Sequence, residues 1–485
     1  MEIPTDKYEL VVGLEVHMQL LTRSKAYSSD ANEYGQMPNT LVSPISLGHP
    51  GTLPLLNRQS VKYAMMLGHA CHMDIHRHTW FARKNYFYAD LPKGYQITQD
   101  KTPICTGGFL MIKDDSGNEK RIGLTRAHLE EDAGKSLHDQ DPFDTLIDLN
   151  RAGVPLIELV SEPDLRSAKE AYNYLTEVRK LVRYLGICDG NMEEGSLRCD
   201  ANVSVRLIGD SKFNTRCEIK NMNSIRNVQR AIEFEFERQV ACVEKGETIL
   251  QETRGFDAPS GTTFPMRTKE LAHDYRYFPE PDMQPVRLTE KDIEQAKSLM
   301  PALPSALYRK YTEEFGLSDY DAMMLTNEKE FAMWYEVLVQ HTTNYKAACN
   351  WLIGPVKAWL NENATELDAF AATPEQIAGI IRLVDEGKVS ASTAAEKILP
   401  ALASGNGASA SEVAAQLNLI QDAGTDEIMA AAEEVIRAWP DKVAAYKGGN
   451  KGLLGLFMGE FMKKTKGKAN PKTASQIIQE LLDKQ

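Results

Sequence analysis

The residues with the clearest chemical capacity lie between Glu193 and Arg206, in the run EEGSLRCDANVSVR. Leu197, Cys199, Ala201, Val203 and Val205 alternate there with Arg198, Asp200, Asn202, Ser204 and Arg206, so a strand of period two carries an apolar row and a polar row. Asp200 and Asn202 offer oxygen ligands for a hard cation, and the arginines offer forked donors to phosphate oxygens. A solvated sheet face with ordinary cross-strand ion pairs is the competing reading of this strand taken alone.

Three further stretches offer the same kind of face. Glu9 to Gln19, ELVVGLEVHMQ, sets Glu15 and His17 opposite Leu10, Val12, Leu14 and Val16. Thr125 to Asp132 places Arg126, His128, Glu130 and Asp132 together, with Glu131 breaking the apolar row. Neighbouring acids repel one another unless a cation shares them. Asn214 to Asn221 groups Arg216, Glu218 and Lys220. If these strands share a sheet, carboxylates beside guanidinium and ammonium groups suit a magnesium ion and a polyphosphate, and the implied chemistry is ATP-dependent phosphoryl transfer. No Gly-x-x-x-x-Gly-Lys-Ser/Thr or Gly-x-Gly-x-x-Gly pattern occurs, so any nucleotide site is built on this sheet.

The elements that must position these residues follow from periodicity. Asn57 to His69, Leu165 to Leu185 and Asn223 to Lys245 carry apolar residues at helical spacing, and Gly186 supplies a plausible stop. Tyr34 to Pro54 reads as a long ordered loop. Phe81 to Gln99 interleaves Arg83, Lys84 and Lys93 with Tyr86, Phe87, Tyr88 and Tyr95, suited to stacking on a nucleotide or to packing under covering lysines. Beyond about residue 290 the strand pattern gives way to helical runs, and Leu402 to Ser411 has the small, polar composition of a linker. The prediction is an α+β chain: a mixed or antiparallel sheet domain over 1–290, an all-helical domain over 291–403 and a small helical tail over 404–485.

Composition bounds the function classes. With 485 residues, 42% apolar and 25% charged, the chain is a multidomain globular protein, and its net charge of -13 argues against coating nucleic acid non-specifically. It leaves room for one basic patch, for which Lys463, Lys464, Lys466, Lys468 and Lys472 are the candidates. Seven scattered cysteines without a Cys-x-x-Cys pair disfavour a zinc centre or a disulfide framework. Neither a signal peptide nor an apolar run of membrane-spanning length is evident, so the expectation is a cytoplasmic protein without a membrane partner.

Several of these stretches together carry a resemblance. VVGLEVHMQL, RKNYFYADLPKGYQITQ, RAHLEEDAGK, DLNRAGVPLIELVSEPD, MEEGSLRCDANVSVR, EIKNMNSIRNVQRAIEFE and FPEPDMQPV occur in order and resemble the B subunits of the bacterial aspartyl/glutamyl-tRNA(Asn/Gln) amidotransferases. GNKGLLGLFMGEFMKKTKGKANP resembles the tail domain shared with YqeY-like proteins. The resemblance implies a cradle domain, a helical domain and a flexible tRNA-binding tail, in a heterotrimer whose other members are an amidase (the A subunit) and a small C subunit. It implies a carbon-nitrogen ligase that phosphorylates the side-chain carboxyl of Glu-tRNA(Gln) or Asp-tRNA(Asn) with ATP and Mg²⁺, then amidates it with ammonia from glutamine. Carried onto this chain, the metal residues are Glu15, His17, His128, Glu130, Glu131 and Asp200, leaving open which of Glu130 and Glu131 reaches the ion. The catalytic set is Glu15, His17, Glu131, Asp200 and Arg198, and Arg198, Asn202, Arg216 and Lys220 are the phosphate-binding candidates. Zinc-bearing members carry cysteine pairs in the N-terminal region, whereas Ser28, Ser29 and their neighbours offer none, so zinc is not expected. The alternative function is a non-catalytic scaffold that presents tRNA, against which the clustered acids argue.

Overall fold

The computed structural model describes residues 5–138, 140–268, 274–405, 407–420, 425–465 and 471–484. They fall into two units, Met1–Leu303 and Pro304–Gln485. Among the described residues, the largest sheet of the first unit has ten strands: β1 (Tyr8–Gln19), β2 (Asp74–Ile75), β3 (Cys105–Thr106), β4 (Phe109–Lys113), β5 (Glu119–Glu131), β6 (Pro155–Ser161), β7 (Leu197–Leu207), β8 (Cys217–Lys220), β9 (Glu252–Asp257) and β10 (Thr262–Thr268). Their order in the sheet is β10-β9-β8-β7-β1-β6-β5-β3-β2, with β4 paired to β5. β8 and β9 run parallel and the other pairs antiparallel, which makes the sheet mixed, as expected.

Alternation fixes which side of the sheet becomes core. Val12, Leu14, Val16 and Met18 of β1 are buried with Cys199, Ala201 and Val203 of β7, Ala127 and Leu129 of β5 and Ile157 and Leu159 of β6. Helices α1 (Arg58–Ala70), α2 (Ala168–Leu185) and α3 (Ile225–Glu244) contribute Ala64, Leu67, Ala171, Leu175, Val178, Val228 and Ile232 to the same core. Each helix starts where a side chain caps it: Asn57 accepts from Gln59 N, Ser167 from Glu170 N and Ser224 from Asn227 N. Gly186 ends α2 in the left-handed region at φ 68°. With one face closed by apolar packing, every side chain of opposite parity on the central strands is presented on the other face.

Behind β9 and β10, Glu235 of α3 is fully buried and accepts from Arg238 Nη2 at 2.6 Å, Gln239 Nε2 at 2.9 Å and Thr263 Oγ1 at 3.0 Å, with Arg254 Nε 3.4 Å away. Together these cations hold its carboxyl below the ordinary range against the opposing effect of burial. Glu235→Ala takes the carboxylate from Arg238 and, among the described residues, leaves Arg254 with the carboxylate of Glu252 alone, and is expected to lower the unfolding free energy by about 3 kcal/mol, read by urea denaturation.

The second unit is helical throughout its described residues, as the loss of strand pattern predicts. The predicted linker over 402–411 is a correction: its end runs into a helix, Ala410–Gln416, whose Ala410, Val413 and Ala414 are buried and which packs on the helix Pro374–Asp385. A capping box joins Ser409 and Glu412, and that spacing is the sequence signal for the helix start. In the tail, Phe457 and Phe461 of the helix Leu454–Lys464 are buried with Val435, Ile436, Tyr446, Ile478 and Leu482. No helix among the described residues is long and apolar enough to cross a membrane.

Candidate functional site: two carboxylate groups on one sheet face

Register brings the predicted polar rows together. Glu15 of β1 lies opposite Asp200 of β7, His17 opposite both Arg198 of β7 and Glu158 of β6, and Glu158 opposite His128 of β5. Asn202 lies opposite Gly13 on one side and Glu218 of β8 on the other. Cross-strand partners share a face, so these residues form one continuous polar surface across five strands.

Two groups of acids stand out on it. In the first, carboxylate oxygens of Glu15, Asp200 and Glu218 lie within 4.8 Å of one another. Lys220 Nζ donates to Asp200 and lies 3.0 Å from Glu218 Oε1, Asn202 Nδ2 donates to Glu15 at 2.9 Å, and Thr253 Oγ1 donates to Glu218 at 2.9 Å. One ammonium therefore faces three carboxylates. Burial, then the charges of Glu158, Asp200 and Glu218, raise the Glu15 carboxyl above its ordinary value, which marks a site short of positive charge.

In the second group, His17 Nε2 lies 3.4 Å from Glu130 Oε1 and 3.3 Å from Glu158 Oε2, and His128 Nε2 lies 3.3 Å from the same Glu158 oxygen. Burial alone would lower the His17 imidazolium, but the hydrogen bond to Glu158 and the charges of Glu158, Glu130 and Asp200 outweigh it and raise the group to about 9. Burial works in the opposite direction on Glu130 and Glu158, and the histidines hold both carboxyls below their ordinary range. Among the described residues, Nδ1 of the buried His128 has no hydrogen-bond partner. Lys84 sits under Tyr275, with Nζ 4.9 Å from the ring centroid, and feels the charges of Glu130 and Glu158.

The remaining predicted residues are placed as follows. Arg198 Nη1 donates to Asp132 Oδ2 at 2.7 Å, and Asp132 also receives Gln19 Nε2 at 2.8 Å and has Arg151 Nε at 3.7 Å. Glu131 belongs to neither acidic group. Next to Glu130 in an extended strand it points the opposite way, where its carboxylate accepts from Lys93 Nζ and from Ile97 N at 2.9 Å. The exposed Arg216 precedes β8 and, with Gly13, Glu15, Asn202, Ser204 and Phe213, lines a cavity of about 320 Å³ beside the first group. In the tail, Lys463 pairs with Glu460 at 2.8 Å and Lys464 with Glu434. Lys466, Lys468 and the side chain of Lys472 lie outside the described residues.

Glu158 is absent from the sequence-based site set and Glu218 appears there only as a strand neighbour. A readable signal for Glu158 is its position as the single acid in the strand PLIELVS, where burial demands a cationic partner. The donor sets also differ in kind. Three carboxylates suit a hard divalent cation such as magnesium, while two imidazoles with two carboxylates give a mixed nitrogen and oxygen set.

Comparison with known proteins adds an independent line. A family model described as the GatB/GatE catalytic domain matches residues 10–294, and one described as the GatB domain matches residues 333–482. A protein from Chlorobium luteolum, named as the B subunit of aspartyl/glutamyl-tRNA(Asn/Gln) amidotransferase, is 48% identical over 477 residues, 98% of this chain and 100% of the relative. Proteins of the same name from Alkalilimnicola ehrlichii and Salinibacter ruber are 49% and 47% identical, covering 98% and 99% of this chain and 100% and 97% of their own.

Proposed function

The chain belongs to the family of aspartyl/glutamyl-tRNA(Asn/Gln) amidotransferase B subunits, and from that premise we propose that the two acidic groups on its sheet are where ATP activates the side-chain carboxyl of a mischarged aminoacyl-tRNA. The protein is the B subunit of a tRNA-dependent amidotransferase, a carbon-nitrogen ligase. A carboxylate resists ammonia because oxide is a poor leaving group. Transfer of the γ-phosphoryl group to one carboxyl oxygen releases ADP and gives an acyl phosphate, whose carbonyl carbon ammonia then attacks, expelling phosphate and leaving the amide. No serine or cysteine nucleophile is needed, and catalysis rests on alignment and charge.

The observation that carries this reading is the convergence of Glu15, Asp200 and Glu218 around too little positive charge. These oxygens fit magnesium, and Glu15, Asp200 and Glu218, with His17, Glu130 and Glu158 alongside, are the residues that would hold it. Bound there, the ion would offset the charge of the phosphates and polarise the transferred group. Lys220 and Arg216 are assigned to phosphate oxygens, with Asn202 orienting Glu15. Arg198, paired with Asp132, keeps the neighbouring row in place and faces the same surface. Glu131 is assigned to holding Lys93 at the margin of the site.

In this reading the chain works in the cytoplasm with an amidase, the A subunit, which releases ammonia, with a small C subunit, and with tRNA(Gln), tRNA(Asn) or both. The cradle spans 1–290, the helical domain 291–403 and the tRNA-binding tail 404–485, and the lysines of 463–472 meet the tRNA backbone. The test is an assay of the purified complex with ATP, glutamine and each mischarged tRNA, with free glutamate as the control. Amide formation on tRNA but not on free glutamate is expected, and ATP-dependent amidation of the free amino acid would contradict the reading. Run without residues 425–485, the same assay is expected to show a tRNA KM raised about tenfold or more at nearly constant kcat; an unchanged KM would remove the tail from tRNA docking.

A further inference from the structure

Away from both acidic groups, the segment after β1 folds around one carboxylate. Asp30 Oδ2 accepts from Ser28 Oγ at 3.0 Å, from Ser43 Oγ at 3.0 Å, from Ser43 N at 3.1 Å and from Ser46 Oγ. The Ser28 and Ser46 hydroxyls are themselves 3.3 Å apart. Four side chains thus converge on one point, two of them from 13 and 16 residues further along the chain. Backbone bonds from Lys25 N to Asp30 O at 3.0 Å and from Asn32 N to Arg23 O at 3.1 Å fix the turn that presents the carboxylate.

Asp30 Oδ2 thus stands at the point of convergence, where a small structural metal centre would hold its ion. The donor chemistry here does not fit zinc, which takes thiolate and imidazole in closed sites. Three neutral hydroxyls give their protons to a single anion, so the protons do the cross-linking.

The loop held in this way leans on the separate strand pair Lys135–Leu137 and Leu146–Asp148 and on the turn that follows it. The fully buried Lys25 donates to Leu41 O at 2.6 Å, Leu41 N donates to Asn150 Oδ1 at 2.8 Å, and Asn39 N donates to Asp148 Oδ1 at 3.1 Å. Gly48, at φ 69°, lies so close to Lys93 that a Cβ there would come within 2.7 Å of Lys93 Cγ. Gly153 lies between the clasp and Glu131, since its Cβ would stand 3.8 Å from both Ser46 Oγ and Glu131 Oε2. Lys93 in turn donates to Glu131.

We propose that Asp30 with Ser28, Ser43 and Ser46 forms a metal-free clasp that seats residues 37–49 against the Lys93–Glu131 pair, which makes Asp30 a positioning residue for that pair. The consequence for turnover rests on the function proposed above, whereas the clasp itself does not.

The test compares amide hydrogen exchange in the intact complex for the native chain, Asp30→Ala, the milder Asp30→Asn, and a variant with Ser28→Cys, Asp30→Cys, Ser43→Cys and Ser46→Cys together. Asp30→Ala and Asp30→Asn are expected to speed exchange over 39–49 by about tenfold or more, with β1 and β7 unchanged. The four-cysteine variant is expected to bind one Co²⁺ with thiolate charge-transfer absorption and to regain native exchange, while Co²⁺ leaves the exchange of the native loop as it is. Native exchange rates in both Asp30 variants, or failure of the four cysteines to take one Co²⁺, would overturn the clasp. For transamidation, kcat is expected to fall about tenfold in the Asp30 variants at constant tRNA KM and to return in the cobalt-loaded variant. Full kcat with a loosened loop would overturn the positioning role, and because exchange and cobalt binding need no substrate, that outcome is separable from failure of the proposed reaction.

Discussion

Asp200→Asn is expected to cut ADP release in the presence of mischarged tRNA by about 10²- to 10³-fold, corresponding to about 3 to 4 kcal/mol of transition-state stabilisation. The substitution keeps the shape of the side chain and removes one negative charge from the group formed with Glu15 and Glu218. Lys220 keeps Glu218 as a partner at 3.0 Å, so the strand pairing of β7 and β8 has no reason to change. What changes is the balance of charge: one ammonium faces two acids where it faced three, and a divalent cation carrying phosphates is held less firmly. In the proposed reading glutamine hydrolysis belongs to the partner amidase and should persist. Steady-state ADP release and glutaminase assays on one preparation separate the two effects, and retained transamidation would count against Asp200.

Glu158→Gln is the second large effect. One Glu158 oxygen lies 3.3 Å from Nε2 of both His17 and His128, so the substitution removes the charge that the half-buried His17 and the buried His128 share. With it gone, burial prevails over the remaining attraction of Glu130, and the His17 titration should fall from about 9 toward or below its ordinary value of 6.5, followed by histidine NMR. The sign for stability follows from linkage. A histidine whose folded value is raised stabilises the fold fully below its unfolded value and loses that contribution as pH rises through the folded one. In cation-free buffer the native protein should therefore lose stability between about pH 6.5 and 9, and Glu158→Gln should flatten that slope. Activity should fall about 10²-fold, because the partner that orients both imidazoles is gone. An unchanged stability slope and an unmoved His17 titration would contradict the assignment.

Both predictions turn on residues that the sequence exposes to different degrees. Glu15, His17, Asp200 and Asn202 are legible because β1 from Val12 to Gln19 and β7 from Leu197 to Val203 alternate strictly, so parity alone assigns them to the polar face. The helices α1, α2 and α3 are legible for a related reason, since their apolar stripes and caps are local features. Register is not local. Nothing in the spacing of Glu15 and Glu158, far apart along the chain, announces that β6 pairs with β1 and sets Glu158 against His17. The adjacent pair Glu130 and Glu131 is local again: the resemblance leaves the two open, but alternation over Thr125 to Asp132 already groups Glu130 with His128, and the strand sends Glu130 to the histidines and Glu131 to Lys93. Lys84 reads as one cation in an aromatic loop, and its closeness to Glu130 and Glu158 depends on how that loop returns over the sheet.

The central claim is that strands distant in sequence create one shared place for a divalent cation against a triphosphate. Its most direct measurement is Mn²⁺ binding followed by electron paramagnetic resonance in the presence of a non-hydrolysable ATP analogue, comparing the native complex with Glu15→Gln/Asp200→Asn. The account predicts nucleotide-dependent Mn²⁺ binding in the native complex and a dissociation constant raised about tenfold or more in the variant. Equal Mn²⁺ affinity in the two, with the analogue bound to both, would contradict it.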